Sequence, residues 1–260
     1  MIKLIASDLD GTLLHDYQQT VPEDIYDTIR ALHDKGILFT AASGRQYANI
    51  RRLFSPLGFD IPYIAENGSL CIYKEEVLAT GLIPSETIRH ILDVLMEYRK
   101  IYHTGHCILS VKDTYYSDST DERFIDYMEN DMHNIVTYVP DLYAVKEPII
   151  KAAICDFNGT QNLAPFFQER IGNEISVVTS ADHWIDFIAP NANKGSALKV
   201  LMKKFGIKKE ECICFGDQQN DIEMLKAAGT AYVMATGHPL AKKAADYVMD
   251  SPLPVMQGLL

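Results

Sequence analysis

Residues 7–16 read SDLDGTLLHD and hold three aspartates. Asp8 and Asp10 alternate with Leu9, follow the apolar start MIKLIA, and are followed at once by Gly11. Side chains alternate along a strand, so the two carboxylates point the same way if the strand reaches them. Like charges this close each raise the pKa of the other unless a cation intervenes. Mg²⁺ suits oxygen ligands and phosphate groups. A lone pair of this kind reads equally well as solvated turn residues, since turns favour aspartate.

Other strand ends carry further candidates. The apolar run ILFTAAS, 37–43, leads into Ser43-Gly44-Arg45, which can offer a hydroxyl and backbone N–H groups to an anion. Ser43 alone reads as a helix cap. ECICFGD leads into GDQQND, with Asp217 at the strand tip and Asp221 in the following turn. In isolation that is an ordinary polar turn. Lys194 opens a helix, where a lone lysine is ordinarily solvated surface.

Positioning such residues together requires strands that end on one side of a sheet. IKLIA (2–6) suits a buried strand, and PEDIYDTIRALHDK (22–35) a helix started by Pro22 and stopped by Gly36. The strand 37–43, a helix from 46 to 54 and a short strand PYIA (62–65) continue the alternation, which predicts a parallel α/β sheet. Between about 83 and 187 the apolar runs are shorter: CILSV (107–111), IIKAAIC (149–155), ISVVT (175–179) and WIDFI (184–188). Helical stretches at 84–99, 121–130 and 160–170 separate them, predicting an α+β module with an antiparallel sheet. The parallel pattern returns with a helix over 193–207 capped by Asn193, the strand ending at Asp217, a helix over 220–229 and the strand AYVMA. The fold class is therefore α/β: a Rossmann-like parallel core, 1–82 plus 189–260, with an inserted α+β module at 83–188.

The 260 residues are 47% hydrophobic and 23% charged, an ordinary globular balance. The net charge of −11 argues against a nucleic-acid partner, because phosphate backbones need basic surfaces. A small phosphorylated substrate remains compatible, since its site needs only local positive charge. No apolar run approaches the roughly 18 residues of a membrane span, and no signal peptide is evident. The five cysteines lack CxxC spacing, and Cys212 and Cys214 read as core thiols of a cytoplasmic protein.

DLDGTLL at 8–14, SGR at 43–45, NKG at 193–195 and GDQQND at 216–221 follow the order and approximate spacing of the haloacid dehalogenase superfamily of phosphohydrolases, which this chain resembles along essentially its whole length. ENG at 66–68 and KKAADYV at 242–248 resemble its Cof-type subfamily, which carries a large class IIB α/β cap between the second and third motifs. The resemblance implies a Mg²⁺-dependent phosphatase acting on small phosphomonoesters such as sugar phosphates, nucleotides or phosphorylated cofactors. Asp8 would be the nucleophile that forms an aspartyl-phosphate, and Asp10 the general acid and then base. An Asp8 oxygen, the Asp10 backbone carbonyl and Asp217 would hold the metal, with Asp221 orienting metal-bound water. The Leu9 backbone, Ser43, Gly44, Lys194 and Asn220 would hold the phosphate. A phosphomutase or phosphotransferase would use the same intermediate. A phosphosugar-binding regulator without catalysis is the reading from another class.

Several neighbours have simpler expected roles. Asp16 falls in a surface loop, and Thr12 braces the loop. Arg45 and Glu66 reach either the substrate or a salt bridge or loop hydrogen bond. Trp184, Phe187 and Phe157 read as core. His103, His106 and His133 lack zinc-site spacing and receive no metal. Ala235-Thr236 stands where Cof-type proteins often have Gly-Asn, and the final helix is shortened to VMQGLL.

Overall fold

The structure, a computed structural model, describes residues 1–14, 18–172 and 175–260. Two compact units emerge, Met1–Thr80 with Ala192–Leu260 and Gly81–Asn191. The first begins with β1 (Leu4–Ser7), α1 (Glu23–Asp34), β2 (Leu38–Ala42), α2 (Tyr47–Phe54) and β3 (Tyr63–Ala65). These match the predicted alternation within a residue or two. A hairpin then follows, β4 (Leu70–Tyr73) and β5 (Glu76–Thr80), antiparallel to β3 and to each other. It was not expected from the sequence. Its two turn residues, Lys74 and Glu75, both adopt positive φ (49° and 62°) without the Asn-Gly or Asp-Gly pair that signals such a turn.

The inserted unit contains α3 (Ser85–Tyr102), β6 (His106–Ser110), β7 (Tyr115–Ser117), α4 (Glu122–Asp126), β8 (Val136–Tyr138), β9 (Lys151–Cys155), α5 (Thr160–Ile171), β10 (Ser176–Ala181) and β11 (Trp184–Ile188). Its sheet order is β10-β11-β9-β6-β7-β8. The expectation of an antiparallel sheet needs one correction: β7 and β8 pair in parallel. The segment between them carries α4 and one π-helical turn, long enough for a crossover. On one face Cys107, Leu109, Ala152, Ile154, Ile185 and Phe187 pack with residues of α3 and α5. On the other, Ile108, Ala153, Cys155 and Trp184 pack with Phe124 and Met128, and the half-buried Phe157 lies against them. Trp184 and Phe187 are thus core, as read, while Phe157 sits half-buried at its edge. His106 stacks on Phe124 and its Nδ1 is 3.0 Å from Ser119 Oγ, while His103 and His133 occupy left-handed turn positions.

The chain returns to the first unit through α6 (Lys194–Phe205), β12 (Cys212–Gly216), α7 (Ile222–Ala227), β13 (Thr230–Met234), α8 (Pro239–Ala244), β14 (Tyr247–Met249) and α9 (Pro252–Gln257). Among the described residues this sheet has eight strands in the order β14-β13-β12-β1-β2-β3-β4-β5. β1 lies inside it, parallel to both β12 and β2. Leu4 and Ala6 pack on one face with Leu198, Leu201 and Met224 of α6 and α7, and Cys212 and Cys214 join them. All five cysteines are buried free thiols. Among the described residues no helix is long and apolar enough to cross a membrane.

Candidate active site

β1 stops at Ser7, one residue before the first aspartate. The Asp8 N–H still donates to the Phe215 carbonyl of β12 at 2.9 Å, so Asp8 stays against that strand. The chain then turns over residues 9–14. Thr12 and Leu14 N–H groups both donate to the Leu9 carbonyl, and Gly11 takes φ +81°. Gly11 has a second reason to lack a side chain, since a Cβ there would come 2.5 Å from Asp217 Oδ2.

Strand alternation therefore does not carry through to Asp10, and the expected shared direction of Asp8 and Asp10 is corrected. Asp8 turns to Lys194, whose Nζ donates to Asp8 Oδ1 at 2.5 Å and to Asp221 Oδ1 at 2.6 Å. Asp10 turns to Arg45, which donates from Nε and Nη2 to its two oxygens. Of the two expectations for Arg45, the salt bridge is the one realised. The like charges beside Asp8 are accordingly those of Asp221 and Asp217, rather than that of Asp10.

Asp8, Asp217 and Asp221 each place a carboxylate oxygen within 4.8 Å of the others, and all three are buried. Asp221 stands in this cluster with both oxygens engaged, its Oδ1 by Lys194. Its Oδ2 accepts from the backbone N–H groups of Asp217 and Gln218 at 2.9 and 3.0 Å, which folds the loop after β12 into a 3₁₀ turn and shortens α7 from the predicted 220–229. Thr12 braces the cluster by donating to Asp217 Oδ1 at 3.2 Å. Gln218 Nε2 donates to Asp217 Oδ2, and the His238 N–H donates to the Asp217 carbonyl at 2.7 Å. The loop containing Ala235-Thr236 therefore reaches Asp217 by backbone, without the missing asparagine.

The electrostatics follow from burial. Desolvation, then the charge of Asp221, hold the Asp8 carboxyl well above the ordinary carboxylate range, with Lys194 opposing them. Desolvation and Asp221 also raise Asp217. Burial alone would lower Lys194, but Asp221 and Asp8 raise it above its ordinary value. Three carboxylates face one ammonium here, so the cluster is short of positive charge whenever all three are ionised. A hard divalent cation fits this all-oxygen donor set and its charge.

The remaining predicted residues border the same loops. Lys194 is the first residue of α6, whose cap Asn193 accepts from Ser196 N–H at 2.8 Å. Ser43 is buried at the tip of β2, and its Oγ accepts from Arg45 N–H at 3.1 Å. Leu9 is fully buried. Asn220 Nδ2 donates to Asn67 Oδ1 at 3.0 Å, and Asn67 in turn borders Gly44. Asn67 lies in the ENG run at 66–68. Its signal was the Asn-Gly pair, which marks a turn. Asp16 lies outside the described residues.

A family model described as haloacid dehalogenase-like hydrolase matches residues 5–252. The chain belongs to this family. The hydrolase is 27% identical over 250 residues to the 5-amino-6-(5-phospho-D-ribitylamino)uracil phosphatase YbjI of Escherichia coli, covering 95% of this chain and 90% of that protein. It is 28% identical over 243 residues to the HMP-PP phosphatase of Enterobacter sp. strain 638, covering 92% and 86%. A crystal structure from Thermotoga maritima superposes with a TM-score of 0.83 at 27% identity, covering 99% and 97% of the two chains. The hydrolase is therefore an enzyme whose relatives include phosphatases, built on the α/β fold those relatives share.

Proposed function

We propose that this hydrolase releases phosphate from small phosphomonoesters through an aspartyl-phosphate on Asp8, with Mg²⁺ as its metal. The observation that carries this reading is the buried Asp8 carboxylate, fixed by Lys194 beside Asp217 and Asp221. The phosphatase names of the relatives support it, and so does the small phosphorylated substrate named for the ribitylaminouracil enzyme.

Asp8, Asp217 and the Asp10 backbone carbonyl would hold the ion. Bound there, Mg²⁺ offsets charge on the transferring phosphoryl group and favours the ionised nucleophile. Lys194 holds the Asp8 carboxylate in one orientation and adds positive charge. An Asp8 oxygen attacks phosphorus as the ester P–O bond breaks, and Asp10 gives its proton to the departing alkoxide. Water then attacks the phosphorus of the acyl phosphate. Asp10 takes the water's proton, and Asp8 and inorganic phosphate are released. In the structure Asp10 accepts from Arg45 with both oxygens, the form suited to taking a proton from water. Ser43, Gly44, Lys194, Asn220 and the Leu9 backbone bind the phosphate.

The inserted module is the part we assign to substrate choice. The buried free thiols support a reducing compartment, and we place the enzyme in the cytoplasm. The test is phosphate release from a panel of phosphorylated metabolites, with Mg²⁺ or with EDTA and without an added acceptor. Release that needs Mg²⁺ and disappears in Asp8→Asn is expected. Undiminished release by Asp8→Asn would overturn the mechanism.

A further inference from the structure

The turn at 66–68 holds three successive residues at positive φ: Glu66 at 50°, Asn67 at 57° and Gly68 at 95°. For L-residues this conformation is unfavourable, with asparagine among the more tolerant. Such backbone persists where its surroundings hold it. Here the Glu66 N–H donates to the Arg45 carbonyl at 3.2 Å and the Asn67 N–H to the Ser43 carbonyl at 3.1 Å. A side chain at Gly68 would collide with the backbone of Asn193 and Lys194, so the turn also lies against the start of α6.

Asn67 is the polar side chain this turn delivers. It is buried, and its Oδ1 accepts from Asn220 Nδ2 at 3.0 Å. A Cβ on Gly44 would come 2.8 Å from the same oxygen. Asn67 is therefore packed between two residues assigned to the phosphate, from separate segments of the chain. An asparagine amide can present either its oxygen or its N–H₂ to a ligand, and only the N–H₂ attracts an anion. An acceptor fixed beside Asn220 Nδ2 selects the donor orientation and leaves its second hydrogen for another acceptor.

We propose that Asn67 is a positioning residue for phosphate, acting through Asn220 by fixing which way its amide faces. The proposal rests on the phosphatase reading above. Asn67→Gly is the informative variant, because glycine adopts the left-handed backbone without strain while the amide is lost with the side chain. It should lower kcat/KM about 10-fold and raise the inhibition constant of inorganic phosphate by a similar factor, the size of one hydrogen bond. Asn220→Ala should lose about as much. The double variant should be no worse than Asn220→Ala alone, because the two residues act in series.

Losses that multiply in the double variant, or an Asn67→Gly enzyme with unchanged constants, overturn the proposal while leaving the phosphatase reading intact. A wild-type chain that neither hydrolyses phosphomonoesters nor binds inorganic phosphate overturns both. If Asn67→Gly does not fold, amide exchange at the wild-type Asn220 side chain decides. One protected hydrogen without phosphate, and two with inorganic phosphate and Mg²⁺, is the expected pattern. No protection without phosphate overturns the proposal.

Discussion

Arg45 holds Asp10 by both carboxylate oxygens, Nε to Oδ2 at 2.8 Å and Nη2 to Oδ1 at 2.5 Å. The guanidinium is itself anchored, donating to the Gln18 carbonyl at 3.0 Å and to Asn49 Oδ1 at 3.3 Å. A bidentate arginine is a rigid fork, which lysine cannot reproduce. The pair separates the two aspartates of the DLD motif: one meets an ammonium within the acidic cluster, the other a guanidinium outside it.

From this separation follows a leaving-group test. Asp10→Asn should lower kcat/KM, which reports only the steps through cleavage of the ester bond, about 10²–10³-fold on alkyl phosphates, whose alkoxide must be protonated, and much less on p-nitrophenyl phosphate. Arg45→Lys should show the same selectivity with a smaller loss, about 10-fold. Steady-state kinetics on both substrates decide the matter. Equal losses on the two would count against proton delivery by Asp10.

Lys194 is fully buried between Asp8 and Asp221. Removing one partner of a buried ion pair typically destabilises by about 3–5 kcal/mol, because the other charges stay buried. Lys194→Met should therefore shift the urea midpoint strongly downward as well as abolish turnover. Adding Asp8→Asn to it should restore part of the stability and none of the activity. A double variant no more stable than Lys194→Met would show that the loss comes from packing alone.

Metal should stabilise the protein in a pH-dependent way. Burial, then Asp221, raise Asp8 well above its ordinary value near 3.8, and Asp217 is raised for the same reasons. A raised folded-state pKa favours folding below the unfolded value, and that contribution is lost as pH climbs through the folded one. The metal-free protein should thus lose stability as pH rises from about 4, and a cation should restore it. In melting curves the gain from millimolar Mg²⁺ over EDTA should widen between about pH 5 and pH 8, and should be absent in Asp217→Asn. A pH-independent gain would place the ion elsewhere.

The inserted unit should have the opposite acid response. Burial lowers the His106 ring below its ordinary 6.5, with Arg99 acting in the same direction and Asp121 against it. A lowered folded-state pKa means that stability is full above about pH 6.5 and is lost as pH falls through the folded value. Denaturant unfolding of the wild type between pH 7.5 and pH 5 should show this decline, and His106→Gln should flatten it. Identical slopes for the two proteins would remove His106 from the account.

Much of this was legible in the residues. Strong apolar runs such as LIAS and CICFG fixed the parallel strands, because burial on both faces needs no partner-specific signal. Motif order brought Asp8, Lys194, Asp217 and Asp221 to one cluster. The hairpin at 70–80 was missed because its turn is forced by context rather than by turn-forming residues. The direction of Asp10 was open in the sequence because period-2 alternation holds only while the strand lasts, and β1 ends at Ser7. Asn67 was read only as part of a family signature, since its partner Asn220 lies 153 positions away.

The pairing of β1 with β12 bears on how the enzyme is born. Asp8 is made well before the lysine that neutralises it, which follows 186 positions later. Until residues 212–216 are made, β1 has a partner on one side only, and its other edge stays open to foreign strands. The acidic cluster likewise stays unformed until Lys194, Asp217 and Asp221 have been made, so the buried charge of Asp8 meets its ammonium only late in synthesis.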